Sequence, residues 1–190
     1  MLSPTRKGVC GTVNLNRALQ AALNPPAASK RQKPWGDMVF REGDRVMQTR
    51  NNYDVVWERD DGSMGAGIFN GDVGVIQEID PSGELITIQF DDRTCVYTAD
   101  LLNQLDMAYA MTVHKAQGSE YRCVVLVSAA VAPALMVRGV LYTAITRARE
   151  LLVLVGDDVA PGQMAANDRQ QRRYSGLRRR LREEAMSHGL

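Results

Sequence analysis

The sequence predicts an α/β fold that carries a small inserted β-barrel. Apolar runs at 107–111 and 123–128 flank a polar turn, and residues 12–23 show helical periodicity. A strand, a polar turn and a second strand are typical of α/β proteins that bind a nucleotide or a phosphate at the strand end. Alternating segments between 73 and 97, separated by short turns, are instead typical of a small SH3-like barrel.

Composition limits the possible classes of protein. The chain has 190 residues, 45% hydrophobic and 24% charged, which is typical of a soluble globular domain with room for a small insert. No apolar run approaches the roughly 20 residues of a membrane span, so no membrane partner is expected. Cys10, Cys95 and Cys123 lack C-x-x-C spacing, which argues against disulfides and zinc and favours the cytoplasm. No metal site is predicted.

The first part of the chain reads as a strand end followed by a helix. Residues 2–3 resemble the end of a strand, and 12–23 have apolar residues at helical spacing, with Thr12 as a candidate N-cap. Two prolines end that helix. Residues 27–36 are predicted to be a polar connector, and a strand is expected near Val46 and 48–50.

The middle of the chain is predicted to form the barrel. The glycine-rich tract 60–71 is expected to be a loop, and it is not a P-loop because no suitably placed lysine follows. Strands are predicted at 73–79, 84–90 and 93–97, with a short turn at 101–102.

The stretch 107–128 contains most of the polar groups expected at a site. Residues 107–111 are predicted to be one buried strand, followed by Thr112 as the N-cap of a short helix. Five different polar side chains follow within nine positions, and Gly118 permits close backbone approach: Thr112, His114, Lys115, Gln117 and Glu120. Backbone N–H groups at such a junction can face an anion.

The C-terminal part is predicted to be a loop at 157–162 and then a basic helix at 163–184. The net charge of +1 conceals a segment of +4 from residue 161 onward. That asymmetry is a modest indication of nucleic-acid binding, and a solvated helix face explains the charge equally well.

Two motifs resemble those of superfamily 1 helicases. TVHKAQGSE at 112–120 resembles motif V, and LYTAITRAR at 141–149 resembles motif VI, followed by a final strand, ELLVLVG, at 150–156. The residues of motif V are most similar to those of the RecD-type branch of superfamily 1B, which includes the alpha subunit of exodeoxyribonuclease V. The segments LSPTRKG at 2–8 and FNGDVG at 69–74 are similar to the same family.

The resemblance implies a domain plan. The chain would be the second, RecA-like motor domain (UvrD-like C-terminal part), with the P-loop NTPase fold but no P-loop. Residues 1–43 would begin that domain and 44–104 would be the SH3-like insert. Residues 105–160 would complete the motor domain, and 161–190 would form the basic C-terminal helix.

Missing motifs decide what activity to expect. No G-x-x-x-x-G-K-[ST] and no acidic pair at a strand end occur in the chain. The resemblance therefore implies ATP with Mg²⁺ as cofactors, with Mg²⁺ held by a first motor domain outside this chain. The expected partners are that N-terminal motor domain, single-stranded DNA and possible further subunits of a nuclease–helicase complex. The chain alone is expected to be inactive, and the whole protein is expected to translocate 5′ to 3′ in DNA recombination and repair.

The resemblance also assigns roles to residues. Arg147 would be the arginine finger, because a planar cation suits the charge on a transferring phosphoryl group. Gln117, Gly118 and Glu120 would face the nucleotide. Single-stranded DNA would contact two groups of residues: Thr112, His114 and Lys115 of motif V, and Arg6 and Lys7 near the strand end.

The insert offers one further candidate DNA surface. Arg50, Asn51, Asn52 and Tyr53 combine charge, amides and an aromatic ring, which suits stacking and phosphate contact. A turn at the barrel rim explains them equally well.

Three alternative functions stay open. The chain could be a non-enzymatic nucleic-acid-binding module or a partner-docking module that uses the barrel. It could also come from a conjugative relaxase-helicase.

Overall fold

The computed structural model describes residues 1–169 together with residues 176, 180, 181 and 184. The first half of this described part contains one helix and the strands of two hairpins and a sheet: β1 (Leu2–Ser3), α1 (Thr12–Leu23), β2 (Gln32–Trp35), β3 (Met38–Arg41), β4 (Arg45–Gln48), β5 (Asn52–Glu58), β6 (Met64–Ile68), β7 (Val73–Ile79), β8 (Leu85–Phe90) and β9 (Arg93–Thr98). A 3-10 helix at Ala99–Gln104 follows, and then β10 (Leu105–Met107), β11 (Met111–Thr112), β12 (Tyr121–Val127), α2 (Arg138–Ile145), β13 (Ala148–Val155) and α3 (Val159–Ala166).

Four parallel strands form the sheet that carries the two helicase-like motifs. Their order is β11-β1-β12-β13, and β12 runs parallel to β13 along nearly its whole length. Parallel strands need crossover connections, and α2 lies between β12 and β13 in the chain and packs against both. The core beneath this sheet is formed by buried apolar side chains: Leu2, Val124, Leu126, Val140, Leu141, Ala144 and Met164. The predicted α/β arrangement is therefore observed here.

Seven antiparallel strands form the second sheet, in the order β10-β4-β7-β8-β9-β5-β6. The predicted strands at 73–79, 84–90 and 93–97 correspond to β7, β8 and β9. Alternate residues of these strands fill one core with Phe40, among them Ile76, Ile86, Ile88, Phe90 and Tyr97. Gly74 is required because a Cβ there would lie 2.7 Å from the Gln89 carbonyl oxygen of the paired strand.

Two segments predicted to lack regular structure contain strands. Residues 60–71 include β6, which pairs with β5 at the sheet edge. Gly65 in β6 lies directly under the Trp57 ring, where a Cβ would overlap the ring, so glycine serves packing there. Residues 27–36 include β2, which forms a hairpin with β3 through a turn at Gly36. Trp35 ends β2 and packs against the core of the seven-stranded sheet.

The predicted strand at 107–111 is wrong as one element, because its ends belong to different sheets. Met107 ends β10, which pairs with β4, whereas Met111 begins β11, which pairs with β1. A uniform apolar run cannot reveal such a switch, since both ends are buried. The predicted domain boundaries stay predictions, although 105–107 pair within the seven-stranded sheet.

Helix α1 has the predicted span but not the predicted cap. Gly11 is the N-cap and no side chain caps the helix, so the prediction of Thr12 as N-cap is wrong. A Cβ at position 11 would lie 2.5 Å from the Arg6 carbonyl oxygen, which explains the glycine. The apolar stripe is largely uncovered, because Val13 is 50% and Leu23 67% exposed.

The predicted boundaries at the C-terminal end are also wrong. Helix α3 begins at Val159, inside the predicted loop 157–162, and ends at Ala166 with Asn167 as its C-cap. The predicted helix 163–184 therefore does not continue from 163 as one element, and half of its residues lie outside the described part of the chain.

Candidate nucleotide and nucleic-acid interface

The motif V segment is a series of turns at the end of a parallel strand. The Ala116 N–H donates to the Thr112 carbonyl oxygen at 3.1 Å, and the Lys115 N–H contacts Thr112 Oγ1 at 3.3 Å. The threonine therefore caps the first turn in the way expected of an N-cap. Residues 113–118 form turns and no helix, so the predicted short helix is wrong.

Burial in this segment alternates in a way that presents polar groups to solvent. Val113 and Ala116 are buried in the core of the parallel sheet, which anchors the turns. His114 and Gln117 are exposed between and beyond them. Gly118 has φ +91, which a side chain rarely adopts, and a Cβ there would meet no atom within 4 Å. The backbone beside Gly118 is thus open to an approaching group.

Arg147 connects motif VI to motif V. It follows α2, and its Nη1 donates to the Ser119 carbonyl oxygen at 2.9 Å. Its Nε donates to the Thr143 carbonyl oxygen at 3.2 Å, and Nη2 contacts Thr146 Oγ1 at 3.2 Å. The half-buried guanidinium therefore satisfies a carbonyl at the end of α2 and ties that helix to the turn after Gly118.

The carboxylates nearby belong to other arginines. Glu150 pairs with Arg122 at 3.0 Å, so it does not neutralise Arg147. Glu120, the expected nucleotide contact, pairs with Arg149 at 2.6 Å and both side chains are more than half exposed. Exposed pairs of this kind contribute only about 0–1 kcal/mol, so Glu120 is free to exchange partners.

A second cluster of charged side chains surrounds Lys115 of the motif V segment. Lys115 Nζ donates to Asp106 Oδ2 at 3.0 Å, and Arg6 Nη2 lies 3.8 Å from the same oxygen. The structure thus brings Arg6 and Lys115 together at Asp106, and their contact with DNA stays a prediction. Lys7 is exposed on the adjoining loop, between β1 and α1.

A cleft of about 610 Å³ begins at this cluster and runs along α1; we call it the α1 cleft. Its lining includes Arg6, Thr112 and Lys115, together with residues that sequence reasoning missed. Arg17 of α1 and Trp35 of the β2–β3 hairpin are the clearest of these. Neither belongs to a local motif, so only the packing of the hairpin beside α1 could reveal them.

The walls of the α1 cleft are fixed by side-chain hydrogen bonds. Asn16 of α1 donates to the carbonyl oxygens of Met107 and Ala110 at 3.0 and 2.9 Å, and accepts from the Ala110 N–H at 2.7 Å. Asp44 is fully buried and accepts from four donors of neighbouring elements: Gln20, Asn24, Arg41 N–H and Tyr109. Burial raises the pKa of Tyr109 to about 12, and its hydrogen bond to Asp44 contributes.

The candidate surface at 50–53 lies apart from the α1 cleft and is partly structural. Asn51 accepts from the Asn70 N–H at 3.0 Å, and Asn52 donates to Gln104 at 3.0 Å. Arg50 is exposed and contacts the Asn103 carbonyl oxygen at 3.4 Å. Tyr53 is 67% exposed and rests edge-on against Phe69. Both amides therefore hold local structure, whereas Arg50, Asn51 and Tyr53 are exposed.

The described residues contain neither a metal-binding cluster nor a membrane-spanning helix. Among the described residues, no group of three or more His, Cys, Asp or Glu side chains has metal-binding geometry. No helix in the described part of the chain is long and apolar enough to cross a membrane. Cys10, Cys95 and Cys123 are free thiols.

Two family models match the chain. Residues 15–90 match the SH3 domain of ATP-dependent RecD-like DNA helicases, and residues 107–155 match the UvrD-like helicase C-terminal domain. The second match contains both helicase-like motifs, and the first contains most of α1 and most of the seven-stranded sheet.

Similar curated proteins cover nearly all of the chain. The ATP-dependent RecD2 DNA helicase of Deinococcus radiodurans is 35% identical over 96% of this chain and 23% of its own length. The RecBCD enzyme subunit RecD of Mycobacterium tuberculosis is 32% identical over 95% of this chain and 28% of its own length. The chain thus spans about a quarter of the length of these relatives.

Solved structures share the fold. Bacteroides Pif1 bound to single-stranded DNA superposes with a TM-score of 0.53 at 14% identity, covering 99% of this chain and 45% of that one. Bacteroides Pif1 with ADP-AlF3 and single-stranded DNA gives 0.53 at 16% identity, covering 100% and 46%. The matches to a RecD-like SH3 domain and a UvrD-like C-terminal domain, together with RecD relatives that align with nearly all of this chain, show that it belongs to the RecD-type helicase family.

Proposed function

We propose that this chain acts as the second motor domain of an ATP-dependent 5′–3′ DNA helicase, with the seven-stranded sheet as its SH3-like insert. The observation that carries the proposal is the contact of Arg147 with the Ser119 carbonyl oxygen, which joins motif VI to motif V at 2.9 Å. Carbonyl oxygens hold the Arg147 guanidinium, and within residues 1–169 no carboxylate forms an ion pair with it. A phosphoryl group could therefore attract it without first breaking an ion pair.

The nucleotide side of the proposal uses residues on one edge of the parallel sheet. Gly118 leaves its backbone open, Gln117 offers an exposed amide, and Glu120 can accept from a ribose hydroxyl once it leaves Arg149. These groups suit a nucleotide, because phosphate oxygens accept hydrogen bonds from side-chain amides, from guanidinium groups such as that of Arg147, and from accessible backbone N–H groups. Bound ATP supplies the phosphoryl transfer that drives the motor. Arg147 would then offset negative charge on the γ-phosphate.

The DNA side of the proposal uses the remaining polar residues of the same turns together with the loop after β1. Arg6 and Lys115 meet at Asp106, and Thr112 lines the α1 cleft with them. His114 and Lys7 are exposed. These five residues supply a hydroxyl, an imidazole and three cationic groups. Phosphate contacts of this kind position a strand without reading its sequence. In this proposal the motif V turns contact both the nucleotide and the DNA. A movement of these turns would therefore couple nucleotide binding to DNA binding.

The proposal requires a second polypeptide segment for catalysis. The sequence has no P-loop, so the phosphate-cradling loop and Mg²⁺ would belong to a first motor domain, and the chain alone would hydrolyse no ATP. Leu151, Val153 and Val155 on β13 are 54%, 38% and 49% exposed, which supports packing against further protein.

The proposal is tested by Arg147→Lys in a protein that joins this chain to a first motor domain. Lysine keeps the charge but loses the planar fork, so DNA-stimulated ATP hydrolysis should fall at least about a hundredfold, with arginine fingers contributing about 10³–10⁵. DNA binding should be retained. Arg122→Lys is the matched control, because Arg122 is an exposed arginine paired with Glu150.

An unchanged hydrolysis rate in Arg147→Lys would refute the motor role. The non-enzymatic nucleic-acid-binding module would then be the better explanation for DNA binding. A loss of folding, detected by circular dichroism, would instead assign Arg147 to the structural link with Ser119.

A further inference from the structure

The α1 cleft is lined by two chemically different sets of side chains. One set is apolar and includes one aromatic ring: Trp35, Met38, Val39, Met47, Met107 and Met111. The other set is cationic and includes Arg6, Arg17 and Lys115. A cleft of about 610 Å³ lies within the range of roughly 300–1,000 Å³ typical of small-ligand sites. The combination suits a ligand with a flat apolar part and an anionic part.

Charge in the cleft favours an anion. Four cationic side chains line it against two carboxylates, Asp37 and Asp106. Arg17 is exposed and has no ion-pair partner within 4 Å in residues 1–169. Lys115 and Arg6 share Asp106. Because Asp106 is shared between two cations, neither is fully neutralised.

Trp35 is held in place by the hairpin. It faces Met38 across a two-residue turn whose first residue, Gly36, has φ +55, as hairpin turns of this length require. The ring is half-buried against the core of the seven-stranded sheet, and its remaining surface lines the cleft. An aromatic ring fixed in this way can stack a base at a low cost in entropy.

We propose that the α1 cleft binds single-stranded DNA, with a base against Trp35 and the neighbouring phosphates on Arg17 and Lys115. This inference rests on the proposed function and extends its DNA track from the motif V turns to α1 and the β2–β3 hairpin. The strand is single, because in a duplex the bases are stacked internally and cannot reach Trp35. Asp106 holds Lys115 and Arg6 at the mouth of the cleft until phosphate replaces it.

Intrinsic fluorescence offers a direct test with the 190-residue chain. The sequence contains two tryptophans, so in Trp57→Phe the emission reports Trp35 alone. We expect oligo(dT) to quench that emission with the same midpoint as the fluorescence anisotropy of a labelled oligo(dT). If Trp57→Phe does not fold, the quenching of the unmodified chain is compared with that of Trp35→Phe.

Affinity measurements test the two contacts separately. Trp35→Ala should weaken oligo(dT) binding by about 5- to 150-fold, the measured range for one stacked base. Arg17→Ala should reduce the slope of log K against log[salt] by about 0.7, the value for one single-strand phosphate. Arg122→Ala removes an exposed cation outside the cleft and should weaken binding less than Arg17→Ala at equal salt.

Several outcomes would overturn the inference, and they differ from a failure of the proposed function. Anisotropy that shows binding while Trp35 emission and the Arg17→Ala slope stay unchanged would place DNA elsewhere and leave the motor proposal standing. Equal affinity for duplex DNA with equal quenching would reject the single-strand assignment. If oligo(dT) does not bind at micromolar concentrations of the chain, the cleft is rejected as a DNA site in this chain. The Arg147→Lys result would still decide the motor role.

Discussion

Asp44 is the residue at which a single substitution should weaken the fold most. Its carboxylate is fully buried and accepts from Gln20 at 2.6 Å, Asn24 at 2.7 Å, the Arg41 N–H at 2.7 Å and Tyr109 at 2.9 Å. These donors belong to α1, the end of β3 and the segment that leads into β11. The carboxylate therefore joins the helix beside the α1 cleft to both sheets.

The magnitude follows from the donors that Asp44→Ala would leave without an acceptor. The hydrogen bonds from Asn24 and the Arg41 N–H are buried, whereas those from Gln20 and Tyr109 are partly buried and can gain water. An unsatisfied buried donor costs about 1–3 kcal/mol, so the two buried donors give about 2–6 kcal/mol. We expect a loss near 4 kcal/mol, which is large for one substitution.

Urea unfolding followed by circular dichroism measures this loss, provided that the transition is two-state. Asp44→Asn should lose less, because one oxygen still accepts. Asp92→Ala is the control, since Asp92 is 66% exposed and pairs only with Arg59, which predicts a loss below about 1 kcal/mol. A loss below about 1 kcal/mol for Asp44→Ala would refute the reasoning and show that water replaces the carboxylate.

Three further predictions concern the site. Asp106→Asn should raise oligo(dT) affinity about fivefold at low salt, because the Asp106 carboxylate no longer competes with DNA phosphate for Lys115, an interaction worth ~1 kcal/mol. Fluorescence anisotropy at two salt concentrations measures the affinity, and an unchanged affinity would contradict this competition. Gly118→Ala should lower the free energy of unfolding by about 1–2 kcal/mol, because φ is +91 with open space around the Cβ; an unaltered urea midpoint would mean that the turn relaxes. Burial and Asp44 raise the pKa of Tyr109 from 10.0 to about 12. The contribution of Tyr109 to the stability of the fold is therefore complete below pH 10 and is lost as the pH rises through about 12. A tyrosinate absorbance titration checks this, with Tyr109→Phe as reference.

Local patterns predicted most of the elements that have a repeating period or a motif. Strands β7, β8 and β9 alternate apolar residues, and helix α1 was placed at its observed span. The predictions are wrong where a glycine packs closely against a residue of another segment. Gly65 under Trp57 made β6 resemble a loop, and Gly11 against the Arg6 carbonyl displaced the expected N-cap. Close approach between remote segments leaves no periodic signal.

The candidate site also has features that follow from local sequence and features that depend on contacts between remote segments. Sequence alone was enough to identify the family, because its motifs lie in short contiguous segments whose residue types are tied to their chemistry. The same segments nominate Arg147 and the motif V residues as site residues, which stays a prediction. The contact of Arg147 with Ser119, the sharing of Asp106 by Arg6 and Lys115, and the α1 cleft were decided only by tertiary structure. Each depends on the distance between segments far apart in the chain, and that distance is set by how the two sheets pack around Asp44 and α1.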